Sequence, residues 1–262
     1  MNTLADPIRP GLCSVTFRQL TPEQIVELTA AAGLEVIEWG GDLHVPPGDT
    51  ARAAEIARLT VDAGLAVASY GSYFRATEGE DFAPVLDSAQ ALGADRIRVW
   101  AGTSGSEAAS NADKEAVAER MRLAASAAAE RGISLALEFH GGTLTDSASS
   151  TRALLDRVGD PALSTYWQPR VDAAVGAALV DYALLADRVS AVHVFSWWPR
   201  GERLRLIERE ELWRRLFSAA ADAPHPPRDA LLEFVPDDDP AVLAGEAATL
   251  RGWIDSASRL GA

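Results

Sequence analysis

The 262-residue chain is poor in several residue types: one cysteine, one lysine, two methionines and four histidines. A lone Cys13 cannot close an internal disulfide, which suits a reducing cytoplasm. Lys114 is the sole lysine among 24 basic residues, the others being arginine, a compositional bias that assigns no function. No run approaches the roughly 18 apolar residues of a membrane span, so no membrane association is expected. The opening MNTLADPIRPG lacks the apolar centre of a secretory signal, and a cytoplasmic location is expected. Positive charge is also scarce. Acidic residues outnumber basic ones by 38 to 24, giving a net charge of −14 that repels phosphate backbones and argues against a nucleic-acid partner. Neither the Rossmann glycine fingerprint nor the Walker phosphate loop occurs.

What is present is a regular alternation. The chain is 48% hydrophobic, enough for a sizeable core. Eight short runs, apolar on both faces, read as covered strands: residues 11–17, 34–40, 65–73, 95–102, 133–140, 163–169, 190–197 and 230–235. A helical pattern follows each. The first opens at Thr21-Pro22-Glu23-Gln24, where Thr suits the N-cap, Pro the first turn and Glu the positive dipole end. Gly33, Gly64, Gly93, Gly132 and Gly159 stand where helices should stop. Later helices are expected at about 112–131, 146–158, 174–188, 208–221 and 239–259. No stretch reads as a linker. Eight strand–helix units predict one (β/α)8 TIM barrel over residues 1–262, an α/β fold.

A barrel of this kind places its site at the C-terminal strand ends. The strand starts hold Leu, Val, Ile and small residues, so polar groups are expected to be concentrated at one end of the barrel. Glu138, Gln168, His193 and Glu233 fall near the ends of strands five to eight. Two carboxylates, an imidazole and an amide oxygen suit one divalent ion, Mn2+ or Mg2+ above all, with Zn2+ or Co2+ also compatible. His140 lies two residues beyond Glu138 and shares its strand face. Trp39, His44, Tyr70, Trp100, His140, Trp167, Arg170, Trp197 and Arg203 are the candidate substrate contacts; bulky rings at a barrel mouth can enclose a ligand and exclude water. Tyr73 and Trp198 belong to the same aromatic group, and Glu38 divides evenly between binding and packing. Arg200, Arg203 and Arg205 suit either an anionic group or a solvated loop. Asp237, Asp238 and Asp239 disfavour a phosphate after the last strand. His225 is expected at the far end, and Trp213 and Trp253 in the core.

With Glu138 in LEFH, His193 in VHVF and Glu233 in LLEF, the whole chain resembles the sugar isomerase/epimerase family of xylose-isomerase-like barrels, which includes an AP endonuclease branch. In the ketose 3-epimerase branch the matching positions are Glu, Asp, His and Glu around one divalent metal, and the glutamates move protons on opposite faces of the substrate. The resemblance implies that Glu138 and Glu233 are catalytic and metal-binding, that His193 is a ligand, and that the protein is a homodimer or tetramer. Gln168 stands where that branch has Asp, and Val171 where a His often follows. Two formal charges facing the ion instead of three weaken its binding and leave it more electrophilic; Gln168 is then either a ligand or a substrate contact.

The expected activity is isomerisation or epimerisation of a small carbohydrate, a keto-sugar or related hydroxy-ketone, through an enediolate. The same intermediate can expel a β-hydroxyl, so a dehydratase or lyase acting on a keto-sugar or keto-glycoside is one alternative. A non-catalytic sugar-binding accessory protein with a weakened metal site is another. The histidine-rich three-zinc site of the endonuclease branch is disfavoured by the four histidines and the −14 charge.

Overall fold

Alternation of short apolar runs with amphipathic helices has one closed solution here. The computed structural model describes residues 8–260 apart from Arg200 and Pro224; the reading of Arg200 as an anion contact lies outside the described residues. The barrel strands are β1 (Arg9–Cys13), β2 (Val36–Gly40), β3 (Ala66–Gly71), β4 (Arg96–Val99), β5 (Ser134–Leu137), β6 (Ser164–Trp167), β7 (Val189–Val194) and β10 (Asp229–Leu232). They pair in parallel around a closed ring in the order β1-β10-β7-β6-β5-β4-β3-β2. All eight predicted strands are present. The first is shorter than expected, because Ser14–Phe17 turn into a 3-10 helix that carries the chain over the barrel mouth. A small antiparallel hairpin, β8 (Ser196–Trp197) with β9 (Arg203–Leu204), was not expected; it stands on the same rim, after β7.

The helices are α1 (Pro22–Ala31), α2 (Thr50–Asp62), α3 (Ala83–Leu92), α4 (Asn111–Ala129), α5 (Ala148–Val158), α6 (Val175–Leu185), α7 (Glu210–Ala221) and α8 (Leu243–Leu260). The Thr21 start is a full capping box. Its hydroxyl accepts from the Gln24 amide, and the Gln24 side chain accepts from the Thr21 amide, satisfying two donors a bare helix end would leave unpaired. Helix α5 ends at Gly159 in the left-handed conformation, φ 71°, as its position in the sequence suggests. No helix among the described residues is long and apolar enough to cross a membrane.

Strand periodicity divides the core in two. Outward residues such as Ile37, Ile97, Val99 and Leu137 pack beneath the helices, where Trp213 of α7 and Trp253 of α8 are buried as expected. Inward residues such as Cys13, Val36, Ala136, Tyr166 and Leu231 fill the barrel. Contrary to expectation, the strand starts are not purely apolar and small, and charge is buried at that end too. Arg96 of β4 and Asp229 of β10 form a buried ion pair at the N-terminal end, supported by Arg9 and Arg228. Each Asp229 oxygen meets a guanidinium, which makes burial tolerable. His225 is exposed and lies at this end, near Arg188 and Arg228.

Candidate active site

At the opposite end the barrel opens into a cavity of about 590 Å³. Its floor comes from inward side chains one layer apart. Glu138 follows β5, its amide donating to Val99 O at 2.9 Å; Glu233 follows β10, its amide donating to Val194 O at 3.1 Å. Gln168 follows β6 on the face that also carries Tyr166. His193 projects inward from β7 and is fully buried. Its Nδ1 lies 2.8 Å from Gln168 Oε1 and 3.3 Å from Glu233 Oε2. Ligand atoms of Glu138, His193 and Glu233 all lie within 4.8 Å of one another. The four expected groups are therefore brought together, and their oxygens and nitrogen fit a hard or borderline divalent ion.

Beneath them lies a pair of residues that sequence reading undervalued. Arg98 of β4 is buried inside the barrel, with Nε 2.9 Å from Glu38 Oε1 and Nη1 bonded to Glu138 Oε2. Glu38 of β2 also accepts from Ser69 Oγ at 2.7 Å and approaches His193 Nε2 to 3.5 Å. Burial would raise the Glu38 carboxyl, but the Arg98 charge and His193 outweigh it and hold it well below the usual carboxylate range. Burial likewise opposes the Arg98 charge, and Glu38 and Glu233 reverse that, raising the guanidinium above its ordinary value. Cys13 sits 3.9 Å from Glu38. Burial, then Glu38 and Glu233, push its thiol well above the ordinary value; with Glu38 and His193 it forms a second group whose ligand atoms lie within 4.8 Å of one another. Gly71 makes room for this arrangement: a Cβ there would lie 2.7 Å from Arg98 Nη2 and 2.8 Å from Glu38 Oε1. The warning in the sequence was Arg-Ile-Arg-Val in a strand with no solvent face.

The cavity walls are aromatic and cationic. Trp100 is held between the Arg75 guanidinium, 4.0 Å from its centroid, and the His140 ring, stacked at 4.3 Å. His140 Nδ1 lies 2.7 Å from Gly141 O, which fixes the proton on that nitrogen and leaves Nε2 as an acceptor. Burial lowers the His140 pKa, which favours the neutral ring. Trp197 of the hairpin and Phe234 form the opposing wall. Phe234 has φ 58°, a strained value for a bulky residue next to Glu233. Arg18, Tyr73, Asp146 and Arg170 complete the rim. Arg18 is committed to Asp42 and Tyr73, and Arg170 to Asp181.

Of the expected substrate contacts, Trp100, His140, Arg170 and Trp197 line the cavity. Trp39, Tyr70 and Trp167 do not, because each sits one residue out of phase with its strand's inward face. Trp39 Nε1 donates to Thr60 of α2, Tyr70 donates to Val45 O, and Trp167 packs edge-on against Tyr182 and Trp213. His44 is buried away from the cavity, with Nδ1 3.0 Å from Ser14 Oγ and its ring against Trp39. Arg203 is outside the walls: it pairs with Asp238 and lies over the rings of Trp197 and Phe234.

Comparison with known proteins agrees with this architecture. Residues 26–225 match the family described as xylose isomerase-like TIM barrel. A 3-dehydroshikimate dehydratase of Bacillus anthracis is 28% identical over 166 residues, 58% of this chain and 59% of that protein, so the match spans under two thirds of the relative's length. Among solved structures, a probable 3-DHS dehydratase involved in petrobactin synthesis in Bacillus anthracis superposes with a TM-score of 0.76, at 20% identity, over 93% of this chain and 99% of that one. An L-ribulose 3-epimerase gives 0.72 at 18% identity, over 97% and 96%. A barrel protein from Mycobacterium smegmatis in complex with magnesium gives 0.74 at 15% identity, over 96% and 97%. At these identities the structural likeness speaks to fold. With the family match covering most of its length, the chain belongs to the xylose isomerase-like TIM barrel family.

Proposed function

We propose that the protein is a divalent-metal-assisted enzyme that removes a proton next to the carbonyl of a small polyhydroxylated ketone, and that loss of a β-hydroxyl as water follows. Glu138, Gln168, His193 and Glu233 would hold the ion, which when bound supplies Lewis acidity to a substrate carbonyl and a neighbouring hydroxyl. The observation that carries the reading is the inequality of the two glutamates. Glu138 is tied to the Arg98 guanidinium, whereas Glu233 has no guanidinium partner among the described residues and faces the cavity. The guanidinium occupies a Glu138 oxygen that would otherwise face the substrate, so Glu233, open to the cavity, takes the α-proton. Glu233 then returns a proton to the departing hydroxyl, so one group serves both halves of an elimination. His140 Nε2 accepts a hydrogen bond from a substrate hydroxyl, and the rings of Trp100, Trp197 and Phe234 cover an apolar face and exclude water. The 28% identity to a 3-dehydroshikimate dehydratase supports the elimination outcome.

Epimerisation or isomerisation is the second reading, supported by the convergence of Glu138 and Glu233 on one centre. A two-base epimerisation requires Glu138 to leave Arg98. The test is incubation of Mn2+-loaded protein with 3-dehydroshikimate and with a panel of ketoses in deuterated water. Water loss, read by ultraviolet absorbance of the conjugated product and by mass, supports elimination; α-deuteration with retained mass of the skeleton supports epimerisation. Neither signal on any of these ketones would sink both readings.

A further inference from the structure

The Arg98 guanidinium reaches the carboxylate that a divalent ion at this site would use. We infer that Arg98 is a built-in competitor for that ion and sets its affinity; this rests on the reading that Glu138, Gln168, His193 and Glu233 hold a metal.

Three observations carry it. Arg98 Nη1 is bonded to Glu138 Oε2, so one Glu138 oxygen is already engaged by a positive charge. The guanidinium is held in place from several sides: Glu38 accepts from Nε at 2.9 Å, the Tyr73 ring lies 5.9 Å away, and the absent side chain of Gly71 leaves room for the fork. The local charges are also informative. Glu38, Glu138 and Glu233 bring three negative charges, Arg98 removes one, and Gln168 adds none where an acidic residue would add a fourth. A dication entering beside Glu138 meets a like charge at a buried position, where repulsion is less screened than at the surface. Glu38 opposes this effect, because it draws part of the guanidinium away from Glu138 and faces His193 Nε2, the nitrogen that must carry the proton if Nδ1 binds metal.

The two groups therefore pull metal affinity in opposite directions, which a merely structural role would not do. Mn2+ alone is titrated calorimetrically into metal-free wild type, Arg98→Gln, Arg98→Lys and Glu38→Gln, with folding checked by circular dichroism. Arg98→Gln keeps an amide donor near the position of Nε, within reach of Glu38, releases Glu138 and loses the charge; its Mn2+ affinity should rise about tenfold or more. Arg98→Lys keeps the charge and should stay within about threefold of wild type. Glu38→Gln frees the guanidinium for Glu138 and should weaken binding about tenfold. Unchanged or weaker binding in folded Arg98→Gln overturns the inference, and if that variant does not fold, unchanged or tighter binding in Glu38→Gln overturns it. His193→Ala separates the two levels. If it abolishes Mn2+ binding while Arg98→Gln has no effect, the metal reading stands and the competitor role falls. No Mn2+ binding by wild type and Arg98→Gln alike overturns both.

Discussion

His193 Nδ1 meets the Gln168 amide oxygen at 2.8 Å inside the barrel mouth, so the residue that departs from the family's acidic pattern touches the expected metal ligand directly. Gln168 thus contacts His193 at the floor of the cavity and is not a remote wall residue. Replacing it with Asp adds a negative charge in contact with His193. Gln168→Asp is expected to tighten Mn2+ binding about tenfold, and Gln168→Ala to weaken it by about 10- to 100-fold. Calorimetric titration with Mn2+ checks both; equal affinity in Gln168→Asp and Gln168→Ala would remove Gln168 from the site.

Glu233→Gln is nearly isosteric and removes the proposed base. Turnover and α-deuterium exchange should fall together by about 10²- to 10⁴-fold, while the fold is retained. Loss of turnover with full exchange would instead make Glu233 the acid for the leaving hydroxyl.

Glu38 gives a pH signature. Its folded-state pKa is held below the ordinary value despite burial, by Arg98 and His193. Its contribution to stability is therefore complete above the unfolded carboxylate pKa, about 4.3, and is lost as pH falls through the lower folded value. Urea unfolding of wild type and Glu38→Gln should differ most near neutral pH, and the gap should close on acidification below about pH 4. A gap that widens on acidification would contradict the direction of the shift.

The two aromatic sets should separate cleanly. Trp39 is fully buried under α2, so Trp39→Ala is expected to cost about 3–5 kcal/mol of stability, and the milder Trp39→Phe should leave KM unchanged. Trp100→Ala opens the cavity wall and should raise KM about tenfold or more. Thermal unfolding beside steady-state kinetics distinguishes them.

At the closed end, Asp229→Asn leaves Arg96 buried without its counter-charge. The expected cost is about 3–5 kcal/mol, read by urea unfolding at neutral pH, with metal affinity unchanged because the pair is remote from the cavity.

The legible and illegible parts of this chain divide along physical lines. Helix starts and the eight strands were readable because capping chemistry and double-sided hydrophobicity are local. The meeting of Glu138, Gln168, His193 and Glu233 at the barrel mouth was legible because they fall at the ends of successive strands. Trp39, Tyr70 and Trp167 were misplaced because strand ends were read as blocks, whereas alternate residues face opposite ways. Trp167 faces helices and its neighbour Gln168 faces the site, so the period of two, applied strictly, would have sorted them. Arg98 was missed because its role depends on Glu38 and Glu138 from two other strands, a meeting that no local pattern encodes. The Arg96–Asp229 pair was missed for the same reason, its partners being 133 residues apart.

Gly71 gives the barrel a fixed depth. Its bare Cα lets the Arg98 fork and the Glu38 carboxylate fill the space directly beneath Glu138. A bound molecule consequently rests on a charged shelf and descends no further into the strands. Attempts to reshape this cavity for longer ligands would have to build outward, through the Trp197 hairpin and the loop carrying Phe234, because the downward direction is already occupied.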